Sequence, residues 1–229
     1  VGVDIVHPDH DLSGYRLVIV PTLYSVDDGV PTRLADAVDE GATVLVTYFS
    51  GITDENDHIR LGGYPGAFRE LLGVRVEEFC PLRAGERVRL TDGSTADVWT
   101  EHLHLAGATS MAEYADGPLP GVPAITRHEH GKGVAWYVAT RLEQAALDKL
   151  VHRLVEEAGV RPVAATRPGV EVIRRVAADG RRWAFVVNHT DEDADLDLAG
   201  HDLVSDRPTQ GPLRVRSGGV AVIRQEHPC

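Results

Sequence analysis

The chain has 229 residues, of which 23 are lysine or arginine and 35 are aspartate or glutamate, so its formal net charge is −12. This length suits one large or two modest domains, and it cannot hold a (β/α)8 enzyme barrel of roughly 250 residues together with another domain. The acidic balance, without basic clusters, argues against nucleic acid and anionic membrane surfaces as partners. Two cysteines, Cys80 and Cys229, do not make a disulfide framework, which favours a reducing, cytoplasmic compartment.

The first fifty residues predict a βαβ unit. Apolar and β-branched residues predict strands at residues 1–6, 16–21 and 42–49, and the last two have the continuous apolar run of strands buried on both faces. Between them, a first-turn proline, an apolar face and a terminal glycine predict a helix over residues 30–41. Because the links are tight, we expect the last two strands to be parallel neighbours.

The middle of the chain continues this pattern. Residues 50–65 form a polar segment rich in Gly, Asp and Asn, which we expect at the carboxyl end of a parallel strand, where α/β sheets usually place function. The other elements predicted here are a helix at 66–73, a strand at 74–79, antiparallel strands within 86–113, a hairpin at 124–139 that turns on 131–133, and a helix at 142–158.

The composition changes after this helix. Residues 161–169 contain two prolines and no periodicity, which predicts a linker. Beyond it, alternating residues predict a hairpin of strands 170–176 and 181–187, followed by three more short strands. The predicted fold class is therefore an α/β domain with a mainly parallel sheet over residues 1–160, followed by a small antiparallel β domain of about five strands over residues 170–229.

No pattern of catalytic or metal-binding residues stands out, so neither a cofactor nor a metal is predicted. Two His-x-His pairs, at 102–104 and 128–130, each place two imidazoles on one face of a strand, but neither has a carboxylate or thiolate at a recognisable zinc spacing. Ser50 follows a buried strand without the G-x-S-x-G pattern of a nucleophile elbow. Cys80 has no histidine placed to activate it.

The polar loop is the most informative segment for function. Five consecutive residues combine three carboxylates, an amide and an imidazole: Asp54, Glu55, Asn56, Asp57 and His58. Such a set suits a sugar, a metal ion or a partner chain, and a solvated loop is the alternative. A glycosidase carboxylate pair is not predicted from it, because such pairs come from different elements of a rigid scaffold.

Several long motifs resemble the glycoside hydrolase family 42 β-galactosidases. They lie at residues 7–15 (HPDHDLSGY), 20–24 (VPTLY), 41–52 (GATVLVTYFSGI), 54–58 (DENDH), 61–66 (LGGYPG), 72–79 (LGVRVEEF), 131–137 (GKGVAWY) and 187–191 (VNHTD). The resemblance covers nearly the whole chain, but only the middle and C-terminal domains of that family. It implies that residues 1–160 form a three-layer glutamine-amidotransferase-like (flavodoxin-like) domain, which holds the family's enzymes as homotrimers.

The resemblance also implies what is missing. The family's N-terminal (β/α)8 barrel carries the acid/base and nucleophile glutamates, which have no counterpart here, so no catalytic residue is assigned and the chain alone is expected to be inactive. The start at Val1 rather than Met leads us to expect a piece of a longer β-galactosidase, with its own barrel as a partner. Ser50 and residues 54–58 are candidates for a subunit interface or an edge of the substrate cleft.

Two other functions stay open at this point. A free-standing enzyme would use Ser50 or Cys80 within hydrogen-bond reach of a histidine, at the base of a pocket. A carbohydrate-binding module would present exposed aromatic side chains as a sugar platform. Most tyrosines and tryptophans of the chain lie in apolar strands, however, where core packing is their usual role.

Overall fold

A computed structural model describes residues 2–225, which divide into two compact units. The N-terminal unit contains residues 6–160, and the C-terminal unit contains residues 161–225 together with residues 2–5. In the part of the chain described, no helix is long and apolar enough to cross a membrane.

The N-terminal unit has three helices and ten strands over residues 6–160. The helices are α1 (Gly29–Glu40), α2 (Arg69–Leu72) and α3 (Gln144–Glu157). The strands are β1 (Leu17–Val20), β2 (Thr43–Thr47), β3 (Val74–Pro81), β4 (Arg87–Arg89), β5 (Thr95–Asp97), β6 (Trp99–Leu105), β7 (Thr109–Glu113), β8 (Pro123–His130), β9 (Gly133–Val138) and β10 (Arg141–Leu142).

The main sheet has the strand order β1-β2-β9-β8-β7. β1, β2 and β9 are parallel neighbours, which confirms the predicted βαβ unit. β8 and β7 are added antiparallel, so the sheet is mixed rather than mainly parallel as predicted. The reason is the predicted hairpin, which forms as expected and places β8 beside β9 in the same sheet.

Alternate residues of the central strands enter two apolar clusters. Val44 of β2 packs in a cluster with Leu34 of α1, whereas Leu45 of β2 packs in a second cluster with Trp136 of β9 and Leu154 of α3. Because successive side chains of a strand point to opposite faces, the two clusters lie on opposite faces of the sheet. The burial of β2 on both faces confirms its prediction.

The edge strand β1 departs from the prediction. Ile19 is exposed, and of its four residues only Val20 is buried. Among the described strands, β1 pairs with β2 alone, so no strand pairs with its other edge. A continuous apolar run therefore located this strand correctly but did not reveal that it lies at the edge of the sheet.

The helices form where the sequence predicts them, with shifted ends. Gly41 ends α1 in the left-handed conformation, at φ 116°, and its amide donates to the Val38 carbonyl at 2.9 Å. α2 is shorter than predicted, and α3 begins later than predicted because Leu142 belongs to β10, opposite Ala96 of β5.

β3 lies outside the main sheet and pairs antiparallel with β6. The register runs from Val74 opposite Leu105 to Pro81 opposite Trp99, with a bulge between Val76 and Glu78. A further small antiparallel sheet has the order β10-β5-β4. These pairings confirm the antiparallel strands predicted within residues 86–113.

The predicted N-terminal strand is wrong over its described residues, 2–6; residue 1 lies outside them. These residues have no regular secondary structure, and Val3 and Ile5 are exposed. β-Branched residues favour a strand only where neighbouring strands pack against them, and no described strand pairs with this segment.

The C-terminal unit consists of antiparallel sheets, as predicted. Its strands are β11 (Val170–Val176), β12 (Arg182–Asn188), β13 (Ala194–Leu196), β14 (Gly200–Asp202), β15 (Arg207–Thr209), β16 (Leu213–Val215) and β17 (Val220–Gln225). One sheet has the order β11-β12-β17-β14-β15, and β13 pairs with β16. Over the described residues there are seven strands rather than about five. β14 and β15 are each three residues long and carry Gly200 and Pro208, so no alternating pattern marks them.

Candidate functional site

The polar loop of residues 50–65 follows the carboxyl end of β2, as expected, and is tied to the segment that follows β1. The amide of Gly51 donates to the Leu23 carbonyl at 2.8 Å, and that of Ile52 to the Tyr24 carbonyl at 2.9 Å. Ser50 is fully buried, and its Oγ accepts a 3.1 Å hydrogen bond from the Leu23 amide. Ser50 therefore anchors the start of the loop and presents no hydroxyl at the surface.

Asp54 organises the tip of the loop. Its Oδ1 accepts hydrogen bonds from the amides of Asn56 at 2.8 Å and His58 at 2.9 Å, and its Oδ2 lies 3.1 Å from Nδ1 of His58. These hydrogen bonds, chiefly that of the His58 amide, lower the pKa of Asp54. The carboxylate is therefore occupied in holding the turn, while Glu55 and Asn56 stay exposed.

Contacts of Arg60 and Ser25 hold the loop further. Arg60 donates to Oδ1 of Asp28 at 2.7 Å and to the Val26 carbonyl at 2.6 Å. Ser25 Oγ lies 2.8 Å from Thr53 Oγ1 and 3.4 Å from Asp57 Oδ1. A loop held by backbone, amide and guanidinium contacts offers its outer side chains in a defined arrangement.

The loop exposes apolar side chains that its polar composition does not predict. Leu61 is 86% exposed and Ile59 is 58% exposed, and Tyr24, whose carbonyl accepts the Ile52 amide, is also exposed. Single exposed apolar residues are common, but several together on a rigid segment are typical of an interaction surface. The sequence signal for such a surface is the presence of apolar residues within a segment otherwise rich in Asp, Gly and Asn.

Aromatic rings gather at the base of the same loop. Phe49, at φ 61°, lies with its ring centroid 4.1 Å from that of Trp99 and 5.7 Å from that of Phe79. Tyr64, near the end of the loop, stacks on Phe79 at 4.3 Å. Sequence spacing could not find this cluster, because its rings come from the ends of separate elements that meet only in the fold.

A buried carboxyl group lies beneath these rings. Glu101 is fully buried. Its carboxyl group accepts a 3.0 Å hydrogen bond from Trp99 Nε1 and a 2.6 Å hydrogen bond from the Tyr137 hydroxyl. Burial raises its pKa to about 7. Such a shift is common at catalytic sites, but a group with no exposed surface cannot reach a substrate, so Glu101 serves the packing of the ring cluster.

The free-standing enzyme hypothesis fails on geometry. Among the hydrogen bonds of residues 2–225, none joins Ser50 or Cys80 to a histidine, and Ser50 Oγ is taken by the Leu23 amide. Burial and the nearby Glu78 raise the pKa of the Cys80 thiol, which is opposite to the activation that a nucleophile needs.

The sugar-platform hypothesis is not favoured either. Tyr114, Trp136 and Tyr137 are buried, as the core-packing interpretation predicts. The rings around Phe49 are only partly accessible and pack mainly on each other.

Comparison with known proteins identifies both units. Residues 1–161 match the family model described as the β-galactosidase trimerisation domain, and residues 169–225 match the β-galactosidase C-terminal domain. A β-galactosidase from Arthrobacter sp is 52% identical over 226 residues, which cover 99% of this chain and 32% of the relative. β-Galactosidase LacZ of Heyndrickxia coagulans is 37% identical over 98% of this chain and 34% of its own length.

The solved structures agree with this. The crystal structure of a β-galactosidase from Bacillus circulans sp. alkalophilus matches with a TM-score of 0.88 and 33% identity, over 96% of this chain and 34% of that one. The two units are thus those of a β-galactosidase trimerisation domain and C-terminal domain. The chain belongs to the glycoside hydrolase family 42 β-galactosidases and spans about a third of the length of the curated relatives it matches.

Proposed function

We propose that this chain is the assembly portion of a β-galactosidase acting on β-galactosides, that it holds subunits together as a homotrimer, and that it carries no catalytic residue itself. The match of residues 1–161 to a trimerisation domain is the observation that carries the proposal. The relatives named β-galactosidases are about three times as long as this chain, which leaves room for a catalytic (β/α)8 barrel as its partner.

The finer fold assignment belongs to the same proposal. Residues 1–160 would be the amidotransferase-like, three-layer trimerisation domain, residues 161–169 the linker and residues 170–229 the C-terminal β domain. Apolar clusters on both faces of the main sheet support the layered arrangement. The location proposed for the protein is the cytoplasm, on the ground of its cysteine usage.

The loop of residues 50–65 is the proposed contact surface. In a cyclic trimer the contacts are heterologous, so one face of each subunit meets a different face of the next. Leu61 and Ile59 would be the apolar anchors, and the exposed residues Glu55, Asn56, Asp57 and His58 the polar rim or the edge of the substrate cleft. Ser50 and Asp54 would hold the loop in shape rather than touch the neighbour.

Sedimentation of loop variants tests this surface. We expect Leu61→Glu and Ile59→Glu to weaken self-association by at least about 10-fold, since each removes about 1.5–3 kcal/mol of apolar burial and places a charge in the contact. Val204→Glu is the matched control, because Val204 is 58% exposed, as Ile59 is, but lies in the C-terminal unit. Equal association of all three variants and the wild-type chain would remove the loop from the interface.

Activity gives a second, independent test. We expect the 229-residue chain to release no product from a chromogenic β-galactoside, because the family's catalytic glutamates have no counterpart in it. Turnover that persists through purification and is lost with a substitution in this chain would contradict a purely assembling role.

A further inference from the structure

The strand pair β3·β6 brings together three metal-ligating side chains. His102 and His104 are two residues apart on β6 and therefore point to the same face of the strand. Glu77 is the unpaired residue in the bulge between Val76 and Glu78 of β3, and its Oε2 lies 2.6 Å from Nε2 of His104.

The three side chains form a compact group. One ligand atom from each of Glu77, His102 and His104 lies within 4.8 Å of the others, and the two imidazole centroids are 4.8 Å apart. Within residues 2–225, no other group of three or more His, Cys, Asp or Glu side chains meets this criterion. The group is accessible, since 43% of the His104 side chain and 55% of the Glu77 side chain are exposed.

We propose that Glu77, His102 and His104 form a binding site for a divalent transition metal of the zinc class. Zinc takes imidazole nitrogen at about 2.0–2.1 Å and carboxylate oxygen at about 2.0–2.2 Å, so ligand atoms around a tetrahedral ion lie about 3.3 Å apart. The ion replaces the proton between Glu77 Oε2 and His104 Nε2. These two atoms move from 2.6 Å to about 3.3 Å apart, and His102 turns inward. Water fills the fourth position on the accessible side.

The donor set decides the metal class. Two nitrogens and one oxygen suit Zn²⁺, Ni²⁺ or Cu²⁺, whereas Mg²⁺ and Ca²⁺ prefer sites made of oxygen alone. Arg75 is the opposing charge: it lies opposite His104 in the ladder and its field also acts on Glu77.

Metal bound here would add a further link between strands β3 and β6. Glu77 comes from β3 and both histidines from β6, so an ion that binds the folded chain stabilises this strand pair by mass action. The sequence could not show the site, because a carboxylate 25 residues before the first histidine is not a recognisable spacing until the strands are paired.

Titration calorimetry of the 229-residue chain with ZnCl₂, after treatment with a chelator, tests the site. We expect one Zn²⁺ per chain at this site and a rise in the unfolding temperature when zinc is added. Glu77→Gln, His102→Gln and His104→Gln should each weaken binding by at least about 10-fold, and Arg75→Gln should tighten it severalfold by removing an opposing charge.

The control is His130→Gln, which breaks the second His-x-His pair; its rings are 6.1 Å apart, and within residues 2–225 it does not belong to a compact group of three ligands. It should leave zinc affinity unchanged. Co²⁺ in place of Zn²⁺ should give the visible bands of a tetrahedral ion in the wild-type chain and not in His104→Gln. No zinc uptake by the folded wild-type chain, or equal uptake by the wild type and all three ligand variants, would overturn the proposal.

Discussion

The Tyr137 hydroxyl donates a 2.6 Å hydrogen bond to Oε2 of Glu101, a carboxyl group with no exposed surface. Removal from water raises the pKa of Glu101 to about 7, above its ordinary value of 4.5. The folded chain therefore keeps a proton at this group over a pH range in which the unfolded chain releases it. Between pH 4.5 and about pH 7, the contribution of Glu101 therefore lowers the free energy of unfolding as the pH rises.

Glu101→Gln should remove that pH dependence. A glutamine keeps the size of the side chain and hydrogen-bonding groups for Trp99 and Tyr137, but it does not titrate. We expect the variant to gain on the order of 3 kcal/mol relative to the wild type between about pH 4.5 and pH 8. Urea unfolding of both proteins at the two pH values measures this difference. A difference in the free energy of unfolding that is the same at both pH values would show that the proton is not held as described.

Gly133 marks a close approach of two backbones. A Cβ at this position would meet the carbonyl oxygen of Ala42 and would lie 2.6 Å from that of Val38. Since backbone cannot move aside as a side chain can, we expect Gly133→Ala to destabilise the N-terminal unit by about 1–3 kcal/mol. Lys132→Ala, an exposed change in the same turn, should stay within about 0.5 kcal/mol. Chemical unfolding curves of equal midpoint for the two variants would contradict this packing.

Asn188 joins two parts of the C-terminal unit. Its buried side-chain amide donates to the Glu192 carbonyl at 2.8 Å and to the Arg216 carbonyl at 3.0 Å. Asn188→Asp leaves these carbonyls facing a carboxylate, so we expect a loss of about 2–4 kcal/mol. Gln210→Glu makes the same chemical change at an exposed position of this unit and should cost less than about 0.5 kcal/mol. Thermal unfolding of both variants provides the comparison, and equal shifts would count against the role of Asn188.

These cases show which features a single sequence reveals. Local patterns located α1, β2 and the hairpin that turns at Gly131, because each depends on residues adjacent in the chain. The edge position of β1 and the mixed sheet were not predicted, since both depend on which strands become neighbours. For the same reason, the sequence pattern does not predict the two short strands β14 and β15.

The candidate site divides in the same way. Its composition locates the polar loop. The exposure of Leu61 and the burial of Ser50, whose hydroxyl accepts the Leu23 amide, follow only from how the loop folds. The Glu77–His104 contact likewise depends on the pairing of β3 with β6. Side chains distant in sequence become partners only through the strand pairing that sets them opposite each other.

The central claim is that this chain assembles subunits, and its molar mass in solution tests that most directly. Sedimentation equilibrium of the purified 229-residue chain, over a range of concentrations that extends to high values, is the measurement. We expect a species of three times the chain mass, whose population increases as the concentration rises. A chain that stays monomeric at every concentration would contradict it, because the trimerisation domain would then not associate by itself.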